Sequence, residues 1–264
     1  MNKIIYILFF VLLFTSCSEY QKAVKSEDSA LKLETATQLY ENEKYDKAIR
    51  LFESIATEYR GKPQAEKMFY MYSQSLYKTE QYYLAGYQFE SFVALYPKSD
   101  KLQEAAFLGA KCYSYLSAEY SLDQVDTEKA ISKLQAFIDT YSTSPYLAEA
   151  NIITKSLTDK LEKKAFENAK QYNTISDYKA SLKALDNFIS DFPGTVYKEK
   201  ALFYKLDSSY QLAINSVEYK KQERLNSAKA AYASLLKFNA NTEFKDTAES
   251  MLERIEQDLQ KYSK

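Results

Sequence analysis

Five stretches of this chain repeat one pattern in one register, and that pattern limits what the chain can fold into. "YDKAIRLFESIATEY" starts at Tyr45, "YYLAGYQFESFVALYP" at Tyr82, "TEKAISKLQAFIDTY" at Thr127, "YKASLKALDNFISDFP" at Tyr178 and "LNSAKAAYASLLKF" at Leu225. Each carries a small residue: Ala48, Ala85, Ala130, Ser181 and Ala228. Four places on stand Phe52, Phe89, Leu134, Leu185 and Tyr232; seven places on stand Ile55, Phe92, Phe137, Phe188 and Leu235. Eleven places on stand Tyr59, Tyr96, Tyr141 and Phe192, and the fifth copy has Asn239 there, just after Phe238. At about 100° per residue these offsets fall within about 60° of arc, so each copy predicts a helix with one apolar stripe. The small residue admits a second helix at close range, and the bulky one fills the space beside it. Pro97 and Pro193 stand twelve places after the small residue, and Pro63 and Pro145 fifteen, so every proline falls where one of these helices must end.

A partner helix should precede each copy. Twelve places before the small residue stand Ala36, Ser73, Ala169 and Ser216, a second small position on the facing helix. Together these features resemble the tetratricopeptide repeat. The intervals of 37, 45, 51 and 47 residues exceed that family's period of about 34, so extra turns or loops intervene. "SAEYSLDQVDT" is an insertion between the helices of the third repeat. Between Pro145 and Tyr178 no Gly or Pro occurs and Leu147, Ala150, Ile153, Leu157, Leu161 and Ala165 keep a helical period, which predicts one long helix. "AESMLERIEQDLQKY" closes the array as a capping helix. The expected fold is all-α: a tetratricopeptide-repeat superhelix of about five helix pairs plus a C-terminal cap. A generic helical bundle would not need five copies in register.

Composition narrows the function. Four Gly and four Pro in 264 residues disfavour turn-rich β architecture. His is absent, which removes the commonest general base, the Ser-His and Cys-His pairs and every His-containing metal site. The glycines are too scattered for a phosphate loop, and 35 basic against 36 acidic residues give no basic excess for nucleic acid. The expectation is a protein that is not an enzyme, holds no cofactor or metal and binds no nucleic acid.

The N-terminus reads as a leader. After Met1-Asn2-Lys3, residues 4–14 are apolar or Tyr, which is long enough for a signal-peptide core and too short to span a bilayer. Thr15-Ser16 then precede Cys17, and Leu13-Phe14-Thr15-Ser16-Cys17 resembles the bacterial lipobox, although Phe14 stands where Leu is usual. In that class of signals the leader is cut before the cysteine, which receives a diacylglycerol and an N-linked acyl chain such as palmitate. The implied organisation is a signal peptide over 1–16, a lipidated cysteine and tether over 17–33, and a repeat domain over 34–264. An ordinary secretory leader with a chance cysteine is the alternative. Acylation of Cys17 would leave Cys112 alone in a helical stretch, as a small buried hydrophobe.

Repeat arrays of this kind present a concave wall to extended peptides or partner domains. The repeat phase places Tyr40, Lys67, Tyr70, Gln74 and Tyr77 on the inner wall of the first two repeats. Tyr offers a rigid ring and a hydrogen-bonding tip, which suits peptide binding; packing between repeats would use the same tyrosines.

Beyond single repeats, the chain resembles the YfiO (BamD) family of outer-membrane lipoproteins. The lipobox, "FESFVALYPKSD", the inserted "DQVDTEKAISKLQAFIDTYSTSPYLAEAN", "KLEKKAFENAKQY", "DNFISDFPGTVYKEKALFY" and "QLAINSVEYKKQERLNSAKAAYASL" carry the resemblance. Ser142 and Arg60 stand where that family has proline. The resemblance implies a subunit of the β-barrel assembly (BAM) machinery, lipid-anchored in the outer membrane and facing the periplasm. Its implied partners are the POTRA domains of a BamA-type barrel and unfolded outer-membrane proteins. A repeat lipoprotein acting as a cell-envelope or division scaffold shares the architecture. A glycan-uptake lipoprotein would favour Trp platforms, and this chain has no Trp.

Overall fold

The five small residues of the repeated pattern, Ala48, Ala85, Ala130, Ser181 and Ala228, are all fully buried. A computed structural model describes residues 19–262 and shows why. Among them, a helical stretch over 19–25 precedes eleven helices, and there is no strand. These helices are α1 (Ser29–Glu41), α2 (Tyr45–Tyr59), α3 (Ala65–Lys78), α4 (Tyr82–Leu95), α5 (Leu102–Tyr115), α6 (Val125–Thr140), α7 (Leu147–Thr174), α8 (Tyr178–Asp191), α9 (Lys198–Ile214), α10 (Glu218–Phe238) and α11 (Lys245–Gln260). The odd-numbered helices α1 to α9 are the first members of five tetratricopeptide-type pairs, and α11 follows as the cap. Each proline comes within five residues of a helix end: Pro63 after α2, Pro97 after α4, Pro145 after α6 and Pro193 after α8. The long helix expected between Pro145 and Tyr178 is α7, of 28 residues.

Two compact units meet within α7, at Thr158 and Asp159. In the N-terminal unit the core joins Ala36, Phe52, Ile55, Met68, Leu76, Phe89 and Phe92, continuing into Phe107, Leu134, Phe137, Ala150 and Leu157. In the C-terminal unit Phe166, Ala169, Leu185, Phe188 and Ala201 form one cluster, and Leu206, Leu235 and Ala248 another.

Two recurrent turns set the geometry. Within a pair, α1–α2, α3–α4 and α7–α8 are joined by the same three-residue turn, whose middle residue is left-handed: Glu43 (φ 57°), Glu80 (φ 60°) and Ser176 (φ 64°). The next N–H returns to the helix end in each: Lys44 to the Leu39 carbonyl at 2.8 Å, Gln81 to Leu76 at 2.9 Å and Asp177 to Tyr172 at 2.9 Å. Between pairs, a Ser or Thr hydroxyl accepts the backbone N–H two residues on. Ser99 takes Lys101 at 3.1 Å, Ser144 takes Tyr146 at 3.4 Å, Thr195 takes Tyr197 at 3.2 Å and Thr242 takes Phe244 at 3.3 Å. The residue so placed opens the next helix and packs on an aromatic of the preceding odd-numbered one. Tyr146 stacks on Phe107 at 5.0 Å, Tyr197 on Phe166 at 5.1 Å and Phe244 on Phe203 at 4.1 Å. At the same place Lys101 sets its ammonium 5.4 Å from the centre of the Tyr70 ring.

Three details differ from the sequence reading. The helical body begins before residue 34: α1 starts at Ser29, capped by the Asp28 carboxylate 2.8 Å from the Ala30 N–H, and Ala23 in the 19–25 helix is fully buried. Ser216 is not on the facing helix but in the turn 215–217, because α10 starts ten residues before Ala228, whereas α2 starts three before Ala48. The close-approach role passes to the fully buried Ala213. Finally, the last three residues of the third-repeat insertion, 125–127, belong to α6, and the rest lies between the two helices in an ordered loop over 116–124. The Gln124 amide donates to the Glu119 carbonyl at 2.8 Å and to that of Leu122 at 2.9 Å, and the Thr127 hydroxyl donates back to Gln124 Oε1 at 2.8 Å.

Candidate functional site

The first helices of the pairs carry the residues expected on the inner wall, and in the N-terminal unit they form one connected row. Tyr70, Gln74 and Tyr77 lie on one face of α3, spaced four and three residues apart. Gln74 is buried, and its Nε2 donates to Tyr70 Oη at 2.8 Å, so its part is to orient the phenol. Tyr70 packs on Phe92 with ring centres 5.6 Å apart, which leaves its hydroxyl toward α5. There Lys101 is paired with Glu104 at 2.9 Å. Burial, and then the hydrogen bond to the Glu104 carboxylate, hold the Tyr70 phenol far above its ordinary pKa, so it stays a neutral donor at any physiological pH. Burial also raises Tyr40, helped by the charges of Tyr45 and Glu104, and its ring meets Tyr45 edge-on at 5.7 Å.

Further along the row, Tyr77 Oη is 3.3 Å from Tyr115 Oη, and Tyr82 stacks on Tyr115 with centres 4.2 Å apart. Burial first, then the Tyr115 hydroxyl, push Tyr77 up to about 12. Lys111, on α5, bonds Glu149 at 2.6 Å. Its burial alone would lower its pKa, but the Glu149 hydrogen bond and the neighbouring Tyr77 and Tyr115 more than offset that and keep it a cation. Lys67, three residues before Tyr70, is exposed and joins none of these bonds.

The structure thus brings Tyr40, Tyr70, Gln74 and Tyr77 together and adds Lys101, Glu104, Lys111, Tyr115 and Glu149, which the sequence reading did not select. For the four at α5 the signal was masked, because counting twelve places back from Ala130 lands on Ala118, inside the inserted loop. The row offers ring faces, phenol oxygens that can still accept, and neutralised ion pairs, an arrangement that can pack the side chains of an extended segment and meet its backbone N–H groups.

Nothing in the row is set up to attack a bond. Cys112 is fully buried, and burial pushes its thiol up to about 12, so it is protonated and shielded. Among the described residues no group of three or more His, Cys, Asp and Glu is placed to hold a metal ion, and no helix is long and apolar enough to cross a membrane. Cys17 lies outside the described residues.

Comparison with known proteins follows the same segments. A family described as YfiO, outer membrane lipoprotein, matches residues 26–225. The outer membrane protein assembly factor BamD of Caulobacter vibrioides is 22% identical over 171 residues, 65% of this chain and 56% of that protein. The chain therefore spans little more than half the length of that curated relative. Two crystal structures of a kinesin light chain from Podosopora anserina with TPR-like repeats align over 79% of this chain and 97% and 98% of theirs, at 14% and 15% identity and a TM-score of 0.32.

Proposed function

Because the chain belongs to the YfiO family of outer membrane lipoproteins, we propose that it is a non-catalytic subunit of the machinery that folds and inserts outer-membrane β-barrel proteins. The observation that carries this reading is the family match over residues 26–225, which takes in the first four helix pairs, α9 and the start of α10. In this reading Cys17 is acylated with a diacylglycerol and an N-linked chain, and it holds the protein on the periplasmic face of the outer membrane. The repeat array docks on the POTRA domains of a BamA-type barrel. The row from Tyr40 to Tyr115 receives segments of unfolded outer-membrane proteins, whose side chains pack on its ring faces and whose backbone N–H groups meet its phenol oxygens. No cofactor enters the reading, because holding and handing over a chain needs surface and not chemistry.

Isolation of the tagged, full-length protein from solubilised native membranes tests the assignment. A BamA-type barrel should co-purify in stoichiometric amount. Its absence, with other envelope or division proteins recovered instead, overturns the reading in favour of a general envelope scaffold.

A further inference from the structure

We infer that one edge of the N-terminal unit, formed by the turns within its helix pairs, lies on a lipid surface at headgroup depth; this rests on the proposal that Cys17 is acylated. The first support is where the described chain begins. Glu19 and Tyr20 line a small cavity with Gln38, Leu39, Asn42 and Lys44, and Lys47 sets its ammonium 5.4 Å from the centre of the Tyr20 ring. Residue 19 therefore sits at the α1–α2 turn. Two residues of extended chain span about 7 Å at most, so of the described unit the α1–α2 turn is the part tethered closest to an anchor on Cys17.

The second support is the character of the same edge. The α1–α2 and α3–α4 turns are neighbours, since Glu43 to Lys47 line one cleft with Lys78 and Thr79. The next repeat continues the row, with Lys129 of α6 placed 5.8 Å from the centre of the Tyr83 ring. Along this row Tyr83 is 64% exposed, Leu84 47%, Leu122 59% and Val125 65%. Soluble surfaces do expose single apolar residues, but here four flank consecutive turns on one edge. Leu122 is held outward by the Gln124 bonds that order its loop. The register sharpens this: where α4 has Tyr83 and Leu84, α2 has Asp46 and Lys47, α6 has Glu128 and Lys129, and α8 has Lys179 and Ala180. The opposite edge of the unit shows Lys62, Gln64, Lys98, Asp100, Ser142 and Thr143, all exposed, with Leu95 at the end of α4 as an isolated apolar residue among them.

Tyr with aliphatic neighbours and interspersed Lys is the composition that settles at a membrane–water boundary. Glu43, Asp46, Glu80, Asp123, Asp126 and Glu128 are exposed along the same edge, and their charges set a limit to depth: the edge rests among headgroups and does not enter the hydrocarbon.

The test uses the mature, acylated full chain in vesicles of phosphatidylethanolamine and phosphatidylglycerol that carry spin-labelled lipid. Leu84→Cys, Leu122→Cys and Val125→Cys are each tagged with a fluorophore, alongside Lys62→Cys and Lys98→Cys as controls; buried Cys112 does not react. The expected result is quenching at 84, 122 and 125 at least threefold above that at 62 and 98. Vesicle-bound, acylated protein with equal quenching at all five sites overturns the inference and leaves the anchor standing. A mature chain whose mass shows no acyl groups overturns both. If labels at 84, 122 and 125 leave water only when a purified barrel partner is added, the edge is a protein interface and the lipid reading fails.

Discussion

The two units use the same skeleton and differ in what joins their helices side by side. In both, a small residue and a bulky one four places on lock each pair, and an aromatic opening one odd-numbered helix stacks on the helix before it: Tyr146 on Phe107 in the N-terminal unit, Tyr197 on Phe166 in the C-terminal one. Across the first helices, however, the N-terminal unit uses half-buried tyrosines with Lys–Glu pairs. The C-terminal unit has such a tyrosine in Tyr204, with Lys170 5.5 Å from its ring centre, and adds short polar groups: half-buried Asn173 Nδ2 donates to Asp207 at 2.7 Å and to buried Ser208 at 3.0 Å, and the buried Ser181 and Ser208 hydroxyls meet at 2.8 Å. Tyrosines at such a seam leave ring faces and phenol oxygens within reach of a ligand, whereas the small polar groups are used up by their own packing. The skeleton is the common element, and the seam is where function can be written.

If the skeleton is common, Phe89→Ala in the first unit and Phe188→Ala in the second should cost alike, about 3–5 kcal/mol each by loss of buried ring and cavity formation. Urea denaturation followed by circular dichroism measures this. A cost under about 1 kcal/mol in one unit alone would show that the repeats are not equivalent in packing.

Function should separate the units where stability does not. Tyr70→Ala with Tyr77→Ala is expected to weaken binding of an unfolded outer-membrane-protein peptide by at least about tenfold, as loss of central aromatic anchors does. Asn173→Ala with Ser181→Ala should leave that binding within about twofold, since those groups are spent within the unit. Fluorescence anisotropy on folded variants decides; equal losses from both pairs would remove the N-terminal row as the binding wall.

A smaller contrast lies at the C-terminal cap. Asp258, fully buried on α11, accepts from Lys261 at 2.6 Å and Arg254 at 3.3 Å. Those bonds, Lys261 first, outweigh burial and hold its carboxyl below the ordinary range. With the folded pKa depressed, the stabilisation is present above the unfolded value of about 4 and is lost as pH falls through the folded pKa. Asp258→Ala should cost about 1.5–3 kcal/mol at pH 7, the worth of hydrogen bonds to a charged group, because exposed Lys261 and Arg254 return to water while half-buried Lys221, 3.9 Å away, loses its counter-charge. The difference from wild type should shrink below pH 4 and should be absent for the Tyr70 variants.

Much of this skeleton was legible because its markers are local. Ala48, Phe52, Ile55 and Tyr59 lie on one helix, so spacing alone reveals their shared face, and the prolines report helix ends directly. Ser216 was misplaced because α10 gained about two turns at its start, and a fixed count of residues cannot see that. The Ser/Thr turns at Ser99, Ser144, Thr195 and Thr242 went unread because a hydroxyl two residues before an aromatic, or in one case before Lys101, is a faint signal next to an apolar stripe. Half of the tyrosine row was invisible for a different reason: Glu104 and Lys101 reach Tyr70 only in space, across a repeat boundary whose phase the inserted loop had hidden.

The finest comparison concerns the three identical turns, two in the N-terminal unit and one in the C-terminal. A residue with a Cβ in the left-handed region costs about 1–2 kcal/mol, and glycine would relieve it while adding about 0.4–1 kcal/mol of unfolded-state freedom. The balance favours Glu80→Gly by about 0.5–1 kcal/mol, because the Glu80 side chain is exposed and caps nothing. Ser176→Gly should gain less, since the Ser176 hydroxyl accepts from Tyr178 at 3.2 Å. Thermal unfolding should therefore rise by a few degrees at most for Glu80→Gly and by less for Ser176→Gly. A loss at either turn would mean that the left-handed residue is held by bonds the two units do not share.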